Sequence, residues 1–245
     1  MTRRNWIAGA VGVGGLGIAA RLAARYGLVP PDSGGLYGPG ETLTYATHRL
    51  LGGHSNAREF RRDQISARPF VNGRLPKSGA FRTLQAEAEK KWRLQVGGLV
   101  DRPASFSLAD LRAYPSRSQI THLACEEGWS YIAEWTGVPL ANVLDTVGVK
   151  AGAKYLAYFS VQEGWWDSMD LEEARHPQTL VAYGLNGGPL PVGNGGPLRM
   201  RVPRQLGYKS VKYITRVAVA ESLKGFGKGL GSAGPEDGYS WYAGI

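Results

Sequence analysis

The chain of 245 residues contains a single cysteine, Cys125, and only four histidines. One cysteine cannot form a disulfide within the chain, so Cys125 is a spare thiol, a partner for another molecule or a ligand. None of the histidines has metal-ligand spacing, which argues against a zinc or haem site built by this chain. The plainest interpretation of Cys125 is a small apolar side chain in the core.

The N-terminal stretch Trp6–Ala20 has no charge but is shorter than the roughly 20 apolar residues that a membrane-spanning helix needs. Arg3 and Arg4 precede it, and together these features resemble a twin-arginine export signal, with a plain Sec signal as the alternative. We therefore predict a signal or retained N-terminal anchor over residues 1–28, a linker over 29–54 and a folded domain over 55–245. This predicts export to the periplasm or to the outer face of the cytoplasmic membrane.

Glycine and proline are frequent, at 35 and 14 residues, while 43% of the chain is hydrophobic. Such a composition favours a folded protein with many turns and short strands. Ser107 followed by Asp110 predicts a capped helix, and apolar residues spaced from Leu140 to Val147 predict a second one. Short strands combined with two or three short helices predict the α+β class.

Ile120–Cys125 has the character of a short strand, and Glu126–Gly128 that of the turn that ends it. This predicts a thiol that is presented at the end of a strand rather than buried. His122 lies three residues before the cysteine. Residues three apart on a strand point to opposite faces, so we interpret His122 as structural rather than as a base for a nucleophilic thiol.

Acidic residues are missing from the segment between Arg199 and Arg216, although the segment carries six cations: Arg199, Arg201, Arg204, Lys209, Lys212 and Arg216. Glycine-containing stretches stand around these cations at Asn194–Arg199 and Gly207–Lys212. Glycine lets the backbone approach a ligand closely, and cations with backbone amides bind phosphate groups. The segment is a candidate anion pocket, and the alternative is a solvated basic strand face.

Two motifs resemble the molybdenum-binding segment of the sulfite-oxidase-like molybdopterin oxidoreductases: Cys125–Ser130 (CEEGWS) and Trp135–Leu140 (WTGVPL). The resemblance is nearest to the bacterial protein-methionine-sulfoxide reductase catalytic subunit type, and it runs from about Asn56 onward. It implies the sulfite-oxidase-type molybdopterin-binding fold, with mixed sheets, and one molybdenum held as Mo-molybdopterin per chain. It makes Cys125 the metal ligand, with Cys125 and Glu127 as catalytic residues. The cofactor-binding residues that it implies, besides Cys125, are Asn56, Arg58, Glu59, Ser160, Asn194, Arg199, Ser210, Val211 and Lys212.

The resemblance also implies two-electron oxygen-atom transfer, with a small-molecule or protein-bound sulfoxide to be reduced or sulfite to be oxidised. Electrons would be exchanged with a separate haem-bearing membrane subunit or a cytochrome. The chain would be exported folded, after insertion of a cofactor made in the cytoplasm. Three alternatives stay open at this point. One is a thiol enzyme that uses Cys125 without a metal, and another is a basic-surface binding protein with no redox role. The third is a family member that has kept the fold and lost its activity, which the retained cysteine and glycine-rich turns disfavour. An export signal argues against nucleic acid as the partner of the binding protein.

Overall fold

Two β-sheets of five strands each form the centre of the structure, a computed structural model that describes residues 23, 27–35, 38–73 and 75–245. The first sheet has the order β2-β1-β10-β5-β6. Its strands are β1 (Leu94–Gly98), β2 (Ala104–Phe106), β5 (Tyr155–Ser160), β6 (Trp166–Asp170) and β10 (Ile214–Ala220). β1 and β10 run parallel, with Gln95 opposite Arg216, and the other pairs are antiparallel.

The second sheet is antiparallel and has the order β3-β4-β7-β8, with β9 also paired to β7. Its strands are β3 (Arg117–Ala124), β4 (Ser130–Pro139), β7 (Leu180–Leu185), β8 (Gly188–Pro189) and β9 (Arg199–Arg201). The β7–β8 connection is the two-residue turn Asn186-Gly187, with φ of 51° and 80°. Both residues take the left-handed conformation that such hairpins require.

The helices are short. They are α1 (Gly38–Gly52), α2 (Gly79–Ala86), α3 (Ala88–Lys91), α4 (Leu108–Ala113), α5 (Leu140–Val147), α6 (Leu171–Arg175) and α7 (Ala233–Glu236). Strands, short helices and frequent turns confirm the α+β class. In the described part of the chain, none of these helices has the length and apolarity to cross a membrane. Most of the predicted export signal lies outside the described residues.

Local sequence signals explain the helices that pack between the sheets. The Ser107 hydroxyl accepts from the Asp110 amide (3.1 Å), and the Asp110 carboxylate accepts from the Ser107 amide (2.8 Å), which confirms the predicted cap of α4. Every apolar residue of α5 that the spacing selected is fully buried. These helices join both sheets in one core, whose largest members include Trp92, Leu144 and Tyr158.

The predicted linker over 29–54 is wrong for residues 38–52, which form α1. Tyr45 and Arg49 are its buried side chains, and both contact the Asp170 carboxylate at the end of β6. Arg204 donates to the carbonyls of Gly52, the last residue of the helix, and of Gly53, which follows it (2.9 and 2.8 Å). The sequence concealed this helix because its buried side relies on an arginine and a tyrosine instead of an apolar stripe.

Candidate functional site

Cys125 lies one residue beyond β3, in a turn closed by its amide to the Trp129 carbonyl (3.0 Å). Only 8% of the residue is exposed, so the prediction of a presented thiol is wrong. The cause is Gly207, at which a Cβ would lie 3.6 Å from the Cys125 Cα and 3.2 Å from the Ala124 carbonyl oxygen. A glycine there lets a distant segment close over the cysteine.

The two acids that follow the cysteine have different partners. The Cys125 thiol donates to the Glu126 Oε2 (3.0 Å), whereas the exposed Glu127 accepts from the Trp129 indole N–H (2.8 Å). Burial raises the pKa of Cys125 to about 12; the Glu127 backbone amide opposes this rise and the Glu126 carboxylate adds to it. The thiol is therefore protonated at neutral pH, and the acid that touches it is Glu126. A catalytic role for Glu127 stays a prediction.

Arg199 and Arg201 are buried, at 4% and 0% exposure, so the solvated basic strand face is excluded for both. Arg199 donates to the carbonyls of Ser210 (2.8 Å) and Asn194 (2.9 Å). Arg201 donates to Thr121 Oγ1 (3.0 Å) and to the His122 carbonyl (2.7 Å) on β3. Neutral oxygens thus accept every one of these charge-assisted hydrogen bonds.

The two guanidinium groups share one aromatic ring. Their central carbons lie 5.4 Å and 5.2 Å from the Trp135 ring centroid. Among the described residues neither arginine forms an ion pair with a carboxylate. Burial lowers the pKa of both arginines, and the Arg199 charge helps to bring the pKa of Arg201 to about 9. The site therefore holds more positive charge than its own residues balance.

The other predicted residues of the glycine-rich turns gather at the same place. The backbone of Lys212 lies opposite that of Arg199 in a single antiparallel β-bridge. The Val211 carbonyl accepts a hydrogen bond from the Met200 amide (2.9 Å). The Lys212 ammonium donates to the carbonyls of Asn72 (2.7 Å) and Gly193 (2.8 Å). Burial, followed by the Arg199 charge, lowers the pKa of Lys212 to about 8. The structure thus brings together five of the residues predicted to bind an anion. Because these five and the neighbouring Arg201 form the candidate anion-binding pocket, we call the six residues the anion cluster: Asn194, Arg199, Arg201, Ser210, Val211 and Lys212.

The remaining cations of the basic segment have separate structural roles. Arg204 binds the carbonyls beyond α1, and Lys209 is fully buried on Asp167. The exposed Arg216 stacks on Phe159, with its guanidinium carbon 3.7 Å from the ring centroid. A run of like charge in the sequence therefore divides among four sites in space.

Three predicted cofactor residues lie along the outer edge of β3. Asn56, Arg58 and Glu59 are exposed. Arg58 lies over the Phe60 ring, and Glu59 accepts from Arg117 (2.8 Å) and from Gln178 (3.0 Å). In the described structure no hydrogen bond connects them to the anion cluster.

Ser160 lies between the anion cluster and a groove of about 590 Å³ on the outer face of the first sheet. Its hydroxyl accepts from the Gln162 amide (3.0 Å). Its neighbour Val161 donates to the Tyr213 carbonyl (2.9 Å), and the Tyr213 amide donates to the Gly195 carbonyl (3.3 Å) beside Lys212. Two residues, Val161 and Tyr213, thus connect Ser160 and the groove to the cluster.

His122 projects from the opposite face of β3 from Cys125. Gln119, Thr121, Leu123 and Cys125 are buried, whereas His122 is half-buried and packs on Phe60. Burial and the Arg201 charge lower its pKa. This confirms that the histidine is not a base for the thiol.

The site fits an anionic cofactor with a metal. Buried polar atoms without a partner among the described residues lie around the cluster: Tyr131 Oη, Trp135 Nε1 and Arg201 Nε. Its donors are cations, backbone amides and one free thiol, a set that suits phosphate oxygens and a soft metal. The residues implied by the family resemblance did not include Arg201 or Glu126, since only the fold reveals which cation has no acid beside it among the described residues and which acid reaches the thiol.

Comparison with known proteins gives one family model, the oxidoreductase molybdopterin binding domain, over residues 81–225. The chain is 37% identical over 169 residues to the protein-methionine-sulfoxide reductase catalytic subunit MsrP of Xanthomonas axonopodis pv. citri. It is 36% identical over 169 residues to MsrP of Xanthomonas campestris pv. campestris. Each match covers 63% of this chain and 52% of the relative, so the chain spans about half the length of these curated relatives.

Among solved structures, the sulfane dehydrogenase SoxCD of Paracoccus pantotrophus is similar, with a TM-score of 0.53 and 25% sequence identity. The similarity covers 55% of this chain and 39% of that one. The sheets and the anion cluster fall largely within the region that the family model matches.

Proposed function

Because this chain belongs to the oxidoreductase molybdopterin binding domain family, we propose that it is a molybdenum-molybdopterin oxidoreductase that reduces a sulfoxide by two-electron oxygen-atom transfer. The observation that carries this proposal is a pair of buried arginines beside the only cysteine, neither of which has an acidic partner among the described residues. Similarity to MsrP supports the sulfoxide as substrate.

Cys125 would hold the metal, and the anion cluster would hold the negatively charged part of the cofactor. When bound, the cofactor supplies a redox-active molybdenum that exchanges two electrons and one oxygen atom. A thiol must lose its proton to bind a metal, and the Glu126 Oε2 at 3.0 Å is the described group that accepts it. Burial of Cys125 keeps water from the metal ligand.

The residues of the cluster would bind by charge and by shape. Arg199 and Lys212 supply cations, and the backbone of Val211 and Lys212 supplies amides, the donors that phosphate groups require. Asn56, Arg58, Glu59 and Ser160 remain proposed contacts to the cofactor, and Glu127 a proposed catalytic residue beside the thiol. The exposure of the first three suits residues that close over a ligand from outside.

We further propose that electrons arrive from a separate haem-bearing membrane subunit or a cytochrome. The proposed place of action is the periplasm or the outer face of the cytoplasmic membrane, after export in the folded state. The two arginines before the uncharged stretch Trp6–Ala20 support this route. A buried cofactor site also supports it, because such a site is assembled only in a folded protein.

The first experiment is elemental analysis of the full chain from a host that makes the cofactor. We expect about one molybdenum per chain, and sulfoxide reduction with an artificial electron donor. A Cys125→Ser variant should change the spectrum of the metal and abolish turnover. A well-folded but metal-free wild-type protein from that host contradicts the proposal.

A second candidate function is oxidation of a sulfur compound. The similarity of the fold to a sulfane dehydrogenase favours it. Assays of the metal-loaded protein in both directions, with sulfoxides plus a donor and with sulfite plus an acceptor, decide between the two.

A further inference from the structure

Arg201 is the cation of the anion cluster whose role neither the motif nor the family likeness supplies. It is fully buried, and its Nη1 lies 3.5 Å from the Ser210 hydroxyl. Its Nη2 reaches Thr121 and the His122 carbonyl on β3, while its Nε has no partner among the described residues. One side chain thus connects β9, the Ser210 turn and β3, the strand that directly precedes Cys125.

The charge of Arg201 adds to that of Arg199. Alternate residues of a strand point to the same side, and both guanidinium groups lie over Trp135. Stacking of a cation on an indole recovers about 0.5 to 2 kcal/mol, far less than removing two like charges from water costs. Carboxylates do not offset the remaining cost of removing the two charges from water. No described carboxylate forms an ion pair with either arginine, and the undescribed residues contain neither Asp nor Glu.

We propose that Arg201 is a positioning residue for the anionic end of the cofactor, a phosphate monoester. Its charge, together with that of Arg199, is balanced by the bound anion. Its hydrogen bonds hold the Ser210 turn and the end of β3 in register, so that the anion site and the metal ligand keep a fixed separation. This inference rests on the proposed function and adds a residue to it.

The proposal gives opposite expectations for two buried cations that lie close in sequence. Removing the Arg201 charge relieves repulsion when no anion is bound and weakens the site when the cofactor is bound. Removing the Lys209 charge leaves Asp167 buried without its partner in both states. Lys209 is therefore the matched control.

The experiment compares Arg201→Met and Lys209→Met in the full chain. Three quantities are measured: molybdenum content after expression with the cofactor, the Tm of the cofactor-free protein, and the rise in Tm on addition of inorganic phosphate. For Arg201→Met we expect the Tm of the cofactor-free protein to stay within about 3 °C of wild type. We also expect the phosphate-dependent rise to be lost and cofactor affinity to fall by about tenfold.

For Lys209→Met we expect a large fall of Tm in both states, with the phosphate-dependent rise retained. Arg201→Lys keeps the charge but not the planar fork, and should restore part of the phosphate response. It also gives a second readout if Arg201→Met fails to fold.

Either of two thermal results overturns the proposal: a full phosphate response in both Arg201 variants, or equal losses of Tm in the cofactor-free and loaded states. A wild-type protein that binds no molybdenum contradicts the proposed function instead, and the phosphate response then decides whether Arg201 serves an anion. If wild type and Arg201→Met bind the molybdenum cofactor with the same affinity, the proposed function is retained but Arg201 does not have this role.

Discussion

Two groups of buried cations in this protein are balanced in opposite ways. The β6 ion pairs, Arg49 with Asp170 and Lys209 with Asp167, join each cation to a carboxylate at the end or in the middle of β6. Arg201 of the anion cluster is as deeply buried as Lys209, yet the partners that it has in the described part of the chain are all neutral oxygens. If Arg201 has the role proposed above, the difference separates cations that complete the fold from cations whose charge a bound ligand balances.

The largest expected effect lies in the β6 ion pairs. Asp170→Asn leaves Arg49 buried without a full partner and weakens the hydrogen bond from Tyr45 Oη (2.9 Å). Breaking a buried pair costs about 3 to 5 kcal/mol, which we expect as a loss of unfolding free energy in urea. The control is Glu172→Gln, since the half-exposed Glu172 lies 3.1 Å from Arg49 and should cost less than about 1 kcal/mol. Equal losses in the two variants would contradict the comparison.

Trp135→Phe tests the anion cluster with an intermediate effect. The indole N–H has no partner among the described residues, so the change costs no hydrogen bond there. A smaller ring under two guanidinium groups should cost about 1 to 2 kcal/mol of stability. The loss should shrink when phosphate is added, because the anion then balances the charges. An unchanged loss in phosphate would show that the ring acts only as core.

His176 extends the comparison to a neutral base among cations. Burial, followed by the charges of Arg204, Arg117 and Arg49, lowers its pKa to about 4. His176 therefore takes up a proton near pH 6.5 in the unfolded chain, but only near pH 4 in the folded protein. Stability from this group is full above pH 6.5 and is lost as the pH falls through that window, by on the order of 1 kcal/mol. A His176→Gln variant should show a flatter unfolding free energy between pH 7 and 4, and an equal slope in both proteins would assign the acid sensitivity to other groups.

The smallest effect is expected at the surface. Glu89 and Arg112 form two hydrogen bonds of 2.9 and 2.6 Å between mostly exposed side chains. Glu89→Gln should cost less than about 1 kcal/mol, and the difference should vanish in high salt because solvent and ions screen the pair. A loss comparable to that of Asp170→Asn would show that pairing, rather than burial, sets the cost.

Local signals in the sequence were enough for the helices and turns that depend on neighbours in the chain. The cap of α4 and the Asn186-Gly187 hairpin follow from residues within three positions of one another. Burial of Cys125 was not predictable in this way, because the distant Gly207 produces it. The division of the basic segment was equally hidden, since the positions of Asp167 and Trp135 decide which cations are paired and which are stacked.

The parallel pairing of β1 with β10 also has a consequence for synthesis. The middle of the first sheet forms only when Gln95 of β1 pairs with Arg216 of β10. Pairing between segments so far apart in the chain is slow and comes late in folding. A nascent chain that has not yet released β10 has not completed this sheet, so the proposed cofactor would be inserted only after β10 has been synthesised.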